Sequence, residues 1–70
     1  MENNKLTVEI YGKQYTMRGN ESISHMKAVA THVDHKMKQV AESNPRLDSA
    51  RLAVLSAVNI SDDYLRLKQD

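Results

Sequence analysis

The chain has no cysteine, no tryptophan and no phenylalanine, a single proline and two glycines. Without cysteine there is neither a disulfide framework nor a thiolate metal site, and the composition fits a reducing compartment. Three tyrosines are the only aromatics. They cannot supply a platform of aromatic and basic residues on a sheet, which disfavours single-stranded nucleic acid as a ligand. Charge of neither sign dominates: ten Lys and Arg against nine Asp and Glu leave +1, not the basic footprint of a nucleic-acid binder. The longest uninterrupted apolar run, Leu52 to Leu55, is far short of the roughly 20 residues a membrane span needs. The opening Met1-Glu2-Asn3-Asn4-Lys5 lacks the charged-then-apolar layout of a signal peptide. There is no glycine-rich phosphate loop and no repeat. These absences together point to a cytoplasmic protein.

Seventy residues make one domain at most. A chain this short buries only about 60% of the surface its unfolded form exposes, so its own core is marginal. Small folds compensate with disulfides, a metal or a partner subunit, and the first is excluded here.

What is present is a long helix near the end, expected over residues 47–69. No glycine or proline interrupts Leu47 to Leu67, and alanine and leucine dominate it. Ala50, Ala53, Ala57, Ile60, Tyr64 and Leu67 recur at alternating three and four, the spacing of a coiled-coil seam. Leu47, Val54, Val58 and Leu65 form a second stripe beside it, completed by Ser61, and Leu52 and Leu55 lie on the remaining side. A surface helix carries an apolar stripe of roughly 100°; this one is apolar over about half its circumference. It must be covered from more than one direction. The reading places a homodimer seam on Ala53, Ala57, Ile60, Tyr64 and Leu67, with the neighbouring stripe toward the rest of the same chain.

The preceding chain supplies a hairpin and a first helix, after a disordered stretch 1–5. Over residues 6–18, Leu6, Val8 and Ile10 alternate with polar neighbours, the period of a half-buried strand. Gly12-Lys13 suggests a type II′ turn, closing at Tyr11 and Gln14, with Ile10 opposite Tyr15 and Val8 opposite Met17. Leu6, Val8, Ile10, Tyr15 and Met17 then share one face. A two-stranded hairpin is not stable alone, so that face needs helices beneath it. The first helix is expected over 22–42, capped by Ser22 or Ser24, with Met26, Ala30, Val33, Met37 and Val40 inward and Asp34 and Lys38 outward as an i, i+4 pair. Pro45 disfavours a helical Asn44 and so closes it. The second helix starts with Leu47 as a staple and Asp48 as N-cap, or at Asn44-Pro45 with proline in the first turn. Asp62 and Arg66 form a further i, i+4 pair. The helix reaches Asp70 without a Gly or Asn cap and with its seam unfinished, so the natural helix is expected to continue. The fold class is α+β: a β-hairpin followed by two α-helices (ββαα), the second long and forming a homodimer interface.

Residue chemistry argues against catalysis. His32 and His35, three apart on one helix face, have the spacing of a metal pair, but with His25 they lack a cysteine or a placed carboxylate to complete a site. Asp34 and His35 are adjacent and do not face each other on a helix. A hairpin and two helices leave little room for a pocket of enzyme size. We therefore expect no enzyme activity, no cofactor and no metal. Ser56 and Ser61 let backbones approach closely. Asn59, an amide on an apolar helix, needs hydrogen-bond partners, either loop backbone near Gly19 or the Asn44 turn, or a second subunit whose register it sets. Lys13, Arg18, Lys27, Lys36, Lys38 and Arg46 read as a solubilising surface or as a docking patch for an acidic partner.

Three phrases carry a family resemblance. Ala53-Val54-Leu55-Ser56-Ala57-Val58-Asn59-Ile60-Ser61-Asp62 resembles the long-helix signature of the ZapA family of bacterial cell-division proteins; Val8-Glu9-Ile10-Tyr11-Gly12-Lys13-Gln14-Tyr15 resembles its opening hairpin; and Val33-Asp34-His35-Lys36-Met37 resembles its first-helix motif. Ser56, Val58 and His35 depart mildly from the family's usual residues, and the long carboxy-terminal coiled coil of many members is absent. The resemblance implies a non-enzymatic factor at the mid-cell division site that binds the tubulin-like protein FtsZ and cross-links its protofilaments. It implies a homodimer, with tetramers built through the longer helix. The basic set Lys13, Arg18, Lys38 and Arg46 is the expected FtsZ-docking surface. The alternative reading is a small dimeric nucleic-acid-binding or adaptor module.

Overall fold

A computed structural model describes residues 3–69. The element order is β1 (Asn4–Ile10), β2 (Lys13–Gly19), α1 (Ile23–Ser43) and α2 (Ser49–Lys68), the expected ββαα arrangement. Of the stretch 1–5, residues 1 and 2 lie outside the described residues, whereas Asn4 and Lys5 belong to β1. The Asn4 side-chain amide donates to the Glu21 carbonyl at 2.7 Å, which ties the start of the strand to the loop before α1. Contacts divide the chain into two compact units that part within α1, between His35 and Lys36.

In the first unit, β1 and β2 pair antiparallel with Leu6 opposite Met17, Val8 opposite Tyr15 and Ile10 opposite Lys13. The turn is therefore Tyr11-Gly12, not Gly12-Lys13. Both central residues have positive φ, +49° at Tyr11 and +81° at Gly12, the signature of a type I′ turn, whose twist matches that of the strands. The register differs from the expected one by two positions. A two-residue shift keeps every side chain on its face, so Leu6, Val8, Ile10, Tyr15 and Met17 still share one side. Val8 is buried there, with Met26 and Ala30 of α1 also buried in this unit. Ser22 is the α1 cap: its Oγ accepts the His25 N–H at 3.1 Å.

In the second unit, α1 closes at Ser43. The Asn44 side-chain amide donates to the Val40 carbonyl at 2.9 Å, satisfying an orphan acceptor of the last turn. The Leu47 N–H closes a turn over Pro45 onto the Asn44 carbonyl at 3.2 Å. Asp48 caps α2 by accepting the Arg51 N–H at 2.8 Å, and Gln69 leaves the helical conformation at the other end. Met37, Val40, Leu52 and Ser56 are the buried residues of this unit. Lys36 of α1 pairs with Asp63 of α2 at 3.2 Å. No helix of the described residues is long and apolar enough to cross a membrane.

Candidate functional site

The covered side of α2 is not the side its apolar pattern suggests. Leu52 and Ser56 are the buried pair, with Ile60 and Asp63 half-buried behind them. These positions recur at four, four and three, so they form one stripe, and two of its four members are polar. Each polar member is satisfied. Ser56 Oγ donates to the Leu52 carbonyl at 2.7 Å, the back-bond that lets a helical serine be buried. Asp63 accepts from Lys36, and from Arg66 at 2.8 Å. Hydrogen bonding first from Lys36 and then from Arg66 holds the Asp63 carboxyl below its ordinary pKa.

The stripe expected to face inward is outward instead. Val54, Val58 and Leu65 are 63%, 59% and 57% exposed. Of the five expected interface residues, Ala53 and Ala57 are exposed, Tyr64 is 57% exposed and Ile60 is half-buried at the edge of the covered stripe. Leu67, on the same angular side as Ile60, is 86% exposed in the last turn of α2. At 3.6 residues per turn, Ala53, Tyr64, Ala57, Val54, Leu65 and Val58 follow one another round an arc of about 140°. Leu47, Ala50, Arg51, Val54 and Leu55 line an apolar concavity of about 390 Å³ at its start. Lys68 lies over the Tyr64 ring, 5.3 Å from its centroid, a cation–π contact at the other end.

Such a face is larger than the isolated exposed leucines and valines any surface carries; contiguous exposed apolar area marks an interaction site. Asn59, expected to be buried, is exposed beside the covered stripe and lines a polar cleft with Lys36, Gln39, Val40, Ser43 and Asn44. His25, His32 and His35 are exposed, and among the described residues no three metal-binding side chains come together.

The four basic residues Lys13, Arg18, Lys38 and Arg46 are all exposed. Strand alternation places Lys13 on the side of Val8 and Arg18 on the opposite side. Lys36, by contrast, is half-buried and engaged by Asp63, which removes it from the docking candidates. Lys5 was missed. The observed register sets it directly opposite Arg18, so two cations share the solvent face of the hairpin at a spacing of about 5 Å between their Cβ atoms. A Tyr-Gly turn would have revealed this pair; a Gly-Lys turn placed Thr7 opposite Arg18. Asp34, expected outward, is half-buried and accepts the Tyr11 N–H at 2.8 Å.

The fold and this face define a class: small α+β interaction modules that present a broad apolar side of a helix. The chain belongs to the family described as cell division protein ZapA, whose model matches residues 6–70. It is 53% identical over 66 residues to cell division protein ZapA of Geobacillus sp. strain WCH70, covering 94% of this chain and 76% of that protein. It is 56% identical over 66 residues to cell division protein ZapA of Bacillus licheniformis, covering 94% and 78%. Among solved structures it is similar to a ZapA mutant dimer from Geobacillus stearothermophilus, with a TM-score of 0.80 and 46% identity over 97% of this chain and 79% of that one.

Proposed function

We propose that this chain is an accessory protein of the bacterial division ring that acts as a homodimer in the cytoplasm at mid-cell, binds FtsZ and cross-links its protofilaments. The observation that carries this reading is the match to the cell division protein family over residues 6–70. The uncovered face of α2 supports the homodimer, as does the similarity to a solved structure that is itself a dimer. The interface assigned is Ala53, Ala57, Ile60, Tyr64 and Leu67, flanked by the exposed Val54, Val58 and Leu65. Small residues at Ala53 and Ala57 allow close helix approach, and Tyr64 is the kind of large amphipathic anchor that dominates interface energetics.

Bridging follows from two-fold symmetry. A dimer presents each docking surface twice, and many weak contacts along a polymer add through effective concentration rather than through single-site affinity. The docking residues assigned are Lys13, Arg18, Lys38 and Arg46, which suit an acidic partner surface. Reversing all four charges is expected to abolish co-sedimentation with FtsZ polymers and the rise in light scattering on bundling, with the dimer intact by sedimentation. Unchanged bundling by all four single reversals removes this docking assignment.

A further inference from the structure

The tip of the hairpin is built on a residue that resists its own conformation. A type I′ turn needs positive φ at both central positions, and Asn-Gly or Gly-Gly meets that need at least cost. Here the first position is Tyr11, at φ +49°, where a bulky side chain is a true outlier. Such strain persists only where the surroundings hold it. The holding group lies in the same unit. Asp34 of α1, half-buried, accepts the Tyr11 backbone N–H at 2.8 Å. The acceptor is a carboxylate, which makes the bond stronger than one between neutral groups. It fastens the turn to the helix twenty-three residues away. Lys13 follows the turn directly and opens β2.

We infer that Asp34 is a positioning residue for docking: by holding the strained Tyr11-Gly12 turn against α1, it presents Lys13 to the acidic surface of the partner in one fixed geometry. This inference rests on the FtsZ-binding reading given above. Its benefit is preorganisation, since a tip already ordered loses no freedom on binding. The sign of the effect separates it from plain electrostatics. Removing Asp34 makes the protein one charge more positive, which by itself strengthens attraction to an acidic partner. The positioning role demands the opposite.

The test uses the full chain, with FtsZ polymers as the probe. Asp34→Ala improves intrinsic helix propensity, which offsets loss of the expected i, i+4 pair with Lys38. The expected results are faster hydrogen exchange at the Tyr11 amide, an unchanged dimer by sedimentation, and FtsZ affinity lower by about five-fold. Asp34→Asn, which keeps an acceptor oxygen, is expected to retain most of the affinity. Should Asp34→Ala not fold, Asp34→Leu, similar in shape and without an acceptor, takes its place. A variant that frees the Tyr11 amide yet binds FtsZ as the parent does overturns the inference, as does unchanged exchange at Tyr11. Failure of the parent protein itself to bind FtsZ sinks the underlying function instead, and is seen before any variant is compared.

Discussion

Two polar side chains, Ser56 and Asp63, lie on the covered stripe of α2. Ser56 is buried at 1% exposure and Leu52 at 2%; Asp63 completes the same stripe through Lys36. Replacing a fully buried leucine by alanine loses transfer free energy and leaves a cavity. Leu52→Ala is therefore expected to lower stability by about 3 kcal/mol, read from the shift in a urea midpoint at constant slope. The Asp63 pair has a pH signature. Its folded carboxyl is held below the ordinary value of 3.8 by hydrogen bonds from Lys36 and Arg66, so ionisation favours the folded state. That contribution is fully present above the ordinary value and is lost as pH falls through the lower folded one. In acid titrations of stability, the parent is expected to lose more than Asp63→Asn as the pH drops below 4; parallel curves contradict the pairing.

Among the elements, the apolar period announced a hairpin followed by two helices, and the proline announced the break between them. Met26, Ala30, Met37 and Val40, expected inward on α1, are all buried, and Asp48 is the α2 cap. The covered stripe of α2 escaped the same reasoning because hydrophobic periodicity is blind to a serine satisfied by its own backbone and to an aspartate satisfied by a lysine from another helix. The turn escaped because a tyrosine with positive φ is the less favoured choice, and the bond its N–H makes to Asp34 joins residues distant in sequence. One consequence belongs to the hairpin as a whole. Like charges directly opposite each other destabilise a strand pair, and Lys5 faces Arg18. Lys5→Glu turns repulsion into a cross-strand ion pair, expected to stabilise the fold by about 0.5 kcal/mol. It is also expected to weaken co-sedimentation with FtsZ, because it neutralises the field around Arg18. A Lys5→Glu variant both no more stable and no weaker in binding contradicts the placement.

For the whole molecule, the question is what covers α2. One side of that helix is buried by means its sequence pattern concealed; the other, from Ala53 round to Val58, stays open to water with Val54, Val58, Tyr64 and Leu65 all more than half exposed. The heptad-like spacing picked out Ala53, Ala57 and Tyr64, which lie on the open face, but it turned Val54, Val58 and Leu65, which share that face, toward the interior. The basic docking set was legible only as a list of cations, because position on a hairpin face depends on register. In the proposed homodimer a second copy of this chain closes the open face. Sedimentation velocity over a wide concentration range tests it most directly. The expected result is a folded particle of twice the 8.0 kDa chain mass that dissociates on Ala57→Glu; a folded particle of 8.0 kDa at every concentration contradicts the dimer.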